Sequence, residues 1–204
     1  MDWSETTFAL PSDTEMLNPY AQDWNHPNGA SAPPSVFGAL PSVAKALPTF
    51  FTFRFTSFNP SIMNCTVMGP QATAYFRIIT DTPMAGVSVF QNATGGTFSL
   101  VQWNQHPDVE IQGVAARQPT SSLLSLSHDR SYRSFTWADG SALLFVPRDN
   151  YIWIYYNSLE QILGRISRGR DWVTLELTGE ALRLGLLETS VVATFLLQSG
   201  RNID

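Results

Sequence analysis

The sequence predicts a mainly β protein, a closed antiparallel β-barrel with a hydrophobic helix at its C-terminal end. Short runs of alternating apolar and polar residues follow one another from residue 49 onward, and turn residues separate them. The last segment is apolar on nearly every side. With 44% hydrophobic and 14% charged residues among 204, the chain is not wholly disordered, because disorder requires low hydrophobicity and high charge.

The strands are predicted from alternation and from their aromatic and β-branched residues. Residues 49–55 place Phe51, Phe53 and Phe55 on one face of a strand, as a half-covered strand requires. Further runs of this kind cover 74–80, 97–103, 108–114, 132–137, 142–146, 151–156, 161–166 and 172–177. At least nine strands at short spacing are typical of an antiparallel barrel or sandwich.

Two glycine-containing pairs mark hairpins between these runs. Asp139-Gly140 is a strong hairpin signal, because a tight turn needs a positive φ that glycine adopts without strain. Gly95-Gly96 is expected to serve the same purpose in an earlier hairpin.

Residues 186–198 are predicted to form a helix of about three turns. Apolar residues recur at helical spacing on more than one side, from Leu187 to Phe195 and from Leu186 to Leu197. A helix that is apolar all round must be enclosed, which suggests that the barrel wraps around it. The alternative is a final strand in the same place.

Residues 1–48 are predicted to be a Pro-rich acidic arm, with the barrel domain over 49–204. The arm holds seven of the thirteen prolines, and its five acidic residues against one lysine give a net charge of −4. Aromatic residues are scattered through it at Trp3, Phe8, Tyr20, Trp24 and Phe37. Two interpretations stay open: a disordered tail, or an arm that lays its rings on the barrel or on a partner.

The barrel domain is nearly neutral, because its eleven arginines face twelve acidic residues. Such a balance argues against nucleic-acid binding, which relies on a basic surface. The single cysteine, Cys65, forms no intramolecular disulfide, the N-terminus does not resemble a secretory signal, and no apolar run reaches the length of a transmembrane helix. We therefore expect a soluble cytoplasmic protein, with peripheral membrane contact as an open alternative.

Three segments carry a resemblance to a known family: residues 132–140 (YRSFTWADG), 175–177 (LEL) and 191–195 (VVATF). In this order and spacing they resemble an uncharacterised domain family abundant in mushroom-forming fungi. That family is similar to the tubby C-terminal and LURP-one-related group. The resemblance covers about residues 49–201 and implies a closed antiparallel barrel threaded by its hydrophobic C-terminal helix. Its motifs are structural and imply almost nothing about activity.

The chain departs from the tubby pattern in its basic residues. Tubby domains bind phosphoinositide headgroups through lysine and arginine on the barrel wall, whereas the one lysine here, Lys45, lies in the arm. The nearest substitute is a Gly-flanked loop with Arg165, Arg168 and Arg170, whose guanidinium groups would bind a phosphate through bidentate contacts. The alternative is a solvated turn in which these arginines pair with neighbouring aspartates.

No metal-ligand spacing, nucleotide-binding loop or nucleophile motif occurs, so we expect neither a metal nor a cofactor. Tryptophans on predicted strands, Trp137 and Trp153 among them, would line an apolar pocket if the barrel lumen is open. If the helix fills the lumen, they belong to the core or pack on the outer face. For an enzyme, the candidates for acid, base or electrostatic clamp are His128, Asp129, Arg130 and Arg133.

Three functions stay open from the sequence. The first is a non-catalytic barrel that binds a lipid, another apolar ligand or a protein partner. The second is a barrel enzyme, an isomerase or cyclase for a hydrophobic small molecule, which a deep pocket with a buried histidine or carboxylate would favour. The third is a structural or regulatory module that associates with partners or forms a homo-oligomer.

Overall fold

A computed structural model describes residues 49–81 and 86–204, so the predicted arm lies outside the described residues. The described chain is mainly β, with thirteen strands in one sheet and few helices. The strands are β1 Phe50–Thr56, β2 Cys65–Met68, β3 Ala74–Thr80, β4 Val87–Asn92, β5 Thr97–Gln102, β6 Asp108–Ile111, β7 Ala115–Pro119, β8 Ser125–Leu126, β9 Arg133–Thr136, β10 Ala142–Arg148, β11 Tyr151–Tyr156, β12 Ser158–Arg168 and β13 Val173–Thr178. The α-helices are α1 Thr120–Leu123, α2 Gly179–Arg183 and α3 Leu187–Gln198.

The sheet consists of two antiparallel meanders joined by one long-range pair. Strands β1 to β7 follow one another in space as they do in sequence, and so do β8 to β13. Strand β1 pairs with β13 in the register from Phe50 opposite Thr178 to Phe55 opposite Val173. The central pair of the sheet therefore joins the first described strand to the last.

The hydrogen-bonded ladder has two ends, at β7 and β8, and no strand pairing joins them within the described residues. A closed barrel is thus not confirmed. Helix α1 connects the two end strands and contacts both. Pro119, the last residue of β7, has no backbone N–H to donate to a further strand, which fits the position of β7 at one end of the sheet.

Helix α3 forms where a helix was predicted, and not the alternative final strand. Eight consecutive residues, Thr189 to Leu196, are buried. Because successive helical residues point about 100° apart, eight in a row cover every side of the helix. The helix is therefore enclosed, as its all-round apolar sequence predicted. Its Phe195 ring meets Phe90 of β4 edge-on at 4.9 Å and lies 5.9 Å from Trp103.

The predicted hairpins and most of the predicted strands are found. Gly140, between β9 and β10, has a φ of +85°, and Gly95, between β4 and β5, has a φ of +84°. The sequence analysis did not name β2, β4, β7 or β8. Strand β8 has only two residues, and β7, with the sequence AARQP, has no alternation of apolar and polar residues.

A chain of buried hydrogen bonds links Trp103, directly after β5, to Met63, in the segment before β2. The Trp103 indole N–H donates to Ser88 Oγ at 2.7 Å, and Ser88 Oγ lies 2.7 Å from Thr80 Oγ1. Thr80 Oγ1 in turn donates to the Met63 carbonyl at 2.6 Å, so its proton is used there and Ser88 donates to Thr80. Each member of this chain is thereby satisfied.

Helix α3 carries one buried hydroxyl without such a partner. Ser190 is 1% exposed, and its Oγ has no hydrogen-bond partner among the described residues. A buried hydroxyl without a partner loses its hydration and gains nothing in return.

These two serines give a matched pair of variants. Ser88→Ala is expected to lower the free energy of unfolding by about 1–3 kcal/mol, because the Trp103 N–H and the Thr80 hydroxyl lose their shared partner. Ser190→Ala removes the same atom from an equally buried position and is expected to leave stability unchanged or higher. Urea unfolding at neutral pH measures both, and equal losses in the two variants would contradict the hydrogen-bond assignment.

Candidate functional site

Arg165, one of the predicted phosphate ligands, already has a carboxylate partner. Its Nε donates to Glu176 Oε2 at 2.5 Å across β12 and β13. Its guanidinium carbon also lies 4.7 Å from the ring centre of Tyr151, 5.0 Å from that of Phe50 and 5.7 Å from that of Trp153. The hydrogen bond to Glu176 raises the pKa of Arg165. Trp153 thus packs on the outer face of the sheet against this cation.

The structure separates the three arginines that the sequence analysis placed in one loop. Strand β12 extends to Arg168, so Arg165 and Arg168 lie in a strand, and their spacing of three residues puts them on opposite faces. Arg168 donates to the Gln198 carbonyl at 3.0 Å, at the C-terminal end of α3. Arg170 is exposed and has no hydrogen bond or ion pair with the described residues. The expected loop was wrong for Arg165 and Arg168, because strand β12 continues through both, whereas Arg170 lies in the turn between β12 and β13.

The candidate acid–base residues occupy an exposed turn between β8 and β9. His128, Asp129 and Arg130 are all exposed there. Asp129 Oδ1 accepts hydrogen bonds from Ser127 Oγ at 2.7 Å and from the Ser131 backbone N–H at 3.1 Å. The bond from Ser127, followed by those from Ser131, lowers the pKa of Asp129 to about 2. This carboxylate is exposed to solvent, and its hydrogen bonds stabilise the turn that contains it.

Arg133 lies apart from that turn and makes a bidentate ion pair. Its Nη1 and Nη2 donate to the two carboxylate oxygens of Asp204 at 2.8 and 2.7 Å, and Nη1 also donates to the Leu124 carbonyl at 2.9 Å. Nearby, Thr120 Oγ1 donates to the Ile203 carbonyl at 2.5 Å. These bonds fix residues 203–204 against α1 and β9.

Trp137 follows β9 and is half-buried, with its ring edge-on to Phe135 at 4.4 Å. It borders a small hollow between the β9–β10 turn, the end of β11 and the segment from α2 to α3. Cys65 is buried, and burial raises the pKa of its thiol to about 12, so the thiol stays protonated. No cluster of three metal-ligating side chains occurs among the residues that the structure describes.

A row of polar side chains that the sequence analysis did not single out crosses strands β1 to β4. Thr56 pairs with Thr66, Thr66 with Arg77, and Arg77 with Gln91 in the strand registers. Their chain neighbours on the other face, Phe55 among them, are buried, so this row lies on the outer face. We call this row and its two adjoining hollows the Arg77 surface.

The two hollows share Thr66 and Arg77. The first has a volume of about 420 Å³ and is lined further by Ser57, Asn59 and Asn64. Asn64 Oδ1 accepts from the Thr80 backbone N–H at 2.8 Å, which leaves the amide NH₂ of Asn64 as a donor. The second hollow measures about 440 Å³ and lies towards the β4–β5 hairpin.

The Arg77 surface has an excess of donors. Arg77 is exposed and makes no ion pair or hydrogen bond within the described part of the chain. No aspartate or glutamate lines either hollow. A solvated guanidinium among hydroxyl and amide groups, without a competing carboxylate, is an arrangement that accepts an anion. The alternation of residues 74–80 shows in the sequence that Arg77 faces outward, but only the strand registers bring it beside Thr66 and Gln91.

No protein-family model and no curated protein matches the chain. Among solved structures, the X-ray structure of a protein from Arabidopsis thaliana is similar to it, with a TM-score of 0.37 and 10% sequence identity. The likeness covers 72% of this chain and 92% of that one. A likeness of this size supports no conclusion on fold or function. In the described part of the chain, none of the helices has the length and apolar character needed to cross a membrane.

The ion pair of Asp204 gives stability a pH dependence of known sign. The hydrogen bonds from Arg133 lower the pKa of Asp204, so the pair contributes fully above the ordinary aspartate pKa and is lost as the pH falls through the lowered value. Asp204→Asn is expected to lower the free energy of unfolding at pH 7 by at most about 1 kcal/mol, because Asp204 is half exposed. Urea unfolding at pH 7 and at about pH 3 should show the difference from the natural protein shrinking in acid. A difference that grows in acid would contradict this assignment.

Proposed function

We propose that this chain is a non-catalytic ligand-binding module of the tubby-like type, which binds an anionic group of its ligand at the Arg77 surface. One observation carries the proposal: an exposed guanidinium without a partner in the described part of the chain lies between two hollows that no acidic residue lines. In this proposal the sheet curls around α3 as a barrel, and its outer wall is the binding face. The enclosure of α3 supports that arrangement.

Binding is favoured over catalysis by where the candidate residues lie. The exposed turn of His128, Asp129 and Arg130 borders none of the four hollows described on this chain. Catalytic acids and bases usually lie in a cleft with perturbed pKa values and a partner that orients them. Helix α3 occupies the interior, so an apolar ligand would also have to bind outside the core.

The ligand class follows from the donors. Arg77 supplies a planar fork for two oxygens, and the nearby hydroxyl and amide groups supply neutral donors, a combination that suits a phosphate group. A lipid headgroup and a soluble phosphate compound share this chemistry. Because the described domain is nearly neutral, general attraction to an anionic membrane is weak and binding depends on the site itself. A cytoplasmic location and self-association stay proposals from the sequence.

The test compares two exposed arginines without partners in the described part of the chain. Arg77→Ala is expected to weaken binding to phosphatidylcholine vesicles that contain phosphatidylinositol bisphosphate by about 10-fold or more, because hydrogen bonds to charged groups are lost. Arg170→Ala removes the same charge elsewhere and is expected to bind like the natural protein. Vesicle sedimentation measures both, and calorimetric titration with free inositol phosphate distinguishes a lipid headgroup from a soluble phosphate compound.

The arginines predicted from the sequence provide the competing outcome. If Arg165→Ala with Arg168→Ala abolishes vesicle binding while Arg77→Ala does not, the Arg77 surface is rejected and the predicted set is the site. Because Arg165 and Arg168 also bond to Glu176 and Gln198, circular dichroism must show that the double variant is folded. Unchanged binding in Arg77→Ala alone already contradicts the proposal.

A further inference from the structure

We propose a second binding site, for an organic cation, in the hollow that Trp137 borders. We call it the Trp137 hollow; it has a volume of about 260 Å³ and shares no lining residue with the Arg77 surface. Its lining includes Trp137, Asp139, Ser141, Tyr156, Leu184 and Thr189. These residues come from the β9–β10 turn, the end of β11 and the segment from α2 to α3. The site is independent of the function proposed for the Arg77 surface.

Two half-buried aromatic rings form part of the wall. Trp137 is held in place by the edge-on contact with Phe135, and Tyr156 ends strand β11. Both rings are partly covered by the core and both line the hollow. The faces of such rings are electron-rich and attract an ammonium or guanidinium group that lies over them. Leu184, which is 42% exposed, adds apolar surface for a short stem.

The charge of the hollow has a single source. Asp139 is the one charged residue among the side chains that line it. Its Oδ1 accepts from the Ser141 backbone N–H at 2.9 Å and from Ser141 Oγ at 2.6 Å, whereas its Oδ2 has no hydrogen bond within the described residues. The bonds from Ser141 lower the pKa of Asp139, so the carboxylate is ionised at neutral pH. One carboxylate oxygen is thus available to a ligand.

Together these features select the ligand by charge and size. Two aromatic rings and one carboxylate, with no lysine or arginine in the lining, complement a cation and repel a phosphate or carboxylate group. The volume is below the range of pockets for drug-sized ligands, so it suits a single head group. An ammonium or guanidinium group on a short apolar stem fits this description. A small amine and a basic side chain of a peptide are its two sources.

The experiment uses the full chain labelled with ¹⁵N on its tryptophan indoles. Choline and the methylamide of Nα-acetyl-lysine are titrated in turn, and the indole signal of Trp137 is assigned from its loss in Trp137→Leu. We expect a saturable shift of that signal with at least one of the two cations. The neutral isostere of choline, 3,3-dimethylbutan-1-ol, is expected to cause a shift at least severalfold smaller at the same concentration. Tighter binding of choline identifies a small amine, and tighter binding of the lysine derivative identifies a peptide side chain.

Charge variants test the carboxylate without removing the turn. Asp139→Asn keeps an oxygen that accepts from Ser141 and loses only the charge, and asparagine before glycine is favourable in such a turn. It is expected to weaken cation binding by about two- to fivefold. Asp149→Asn, in the turn at the opposite end of β10, is the matched control and is expected to bind like the natural protein.

Three results would overturn the proposal. The first is that neither cation shifts the Trp137 indole signal. The second is that the neutral alcohol shifts this signal as much as choline does. The third is that the Asp139→Asn and Asp149→Asn variants bind the cation with equal affinity. Anion binding at the Arg77 surface is measured separately, so a failure of one site is distinguishable from a failure of the other.

Discussion

The enclosure of α3 is the constraint on which the rest of the structure depends. An uninterrupted run of buried residues from Thr189 to Leu196 leaves no side of the helix exposed to solvent, so the rest of the described domain must cover it. The pairing of β1 with β13 joins the two meanders into a single sheet. Phe90 and Trp103 contact Phe195 from the first meander, which fixes the helix against strands distant in sequence.

Because α3 fills the core, the polar groups near it need hydrogen-bond partners within the protein. The buried hydroxyls of Ser88 and Thr80 are satisfied by each other, by the Trp103 indole and by a backbone carbonyl. Arg168, on the inner side of β12, donates to a carbonyl at the end of α3, where a cation also interacts favourably with the helix dipole. Ser190 is the exception, since its hydroxyl has no partner in the described part of the chain.

The arginines of the described sheet fall into two groups. Arg165 and Arg133 each have a carboxylate partner and hold strands or segments together. Arg77 has neither carboxylate nor ring contact in the described part of the chain and lies between open hollows. A count of basic residues does not separate these groups, because the partners come from elsewhere in the chain: Glu176 of the neighbouring strand for Arg165 and Asp204 of the C-terminal segment for Arg133. The Trp137 hollow is lined by a single charged residue, the carboxylate of Asp139.

Much of the architecture was determined by the sequence, because it depends on patterns that are local in the chain. Alternation predicted β1, β5 and β6, aromatic and β-branched residues predicted β3, glycine predicted the two hairpins, and the all-round apolar character of residues 186–198 predicted an enclosed helix. The proposed Arg77 surface depended on tertiary structure, because its residues meet across strand registers. Nothing in the sequence places Thr66 and Gln91 beside Arg77, and the expected cluster of Arg165, Arg168 and Arg170 divides because a strand turns every second side chain to the other face. Local periodicity thus decided the elements, and strand pairing decided which side chains share a surface.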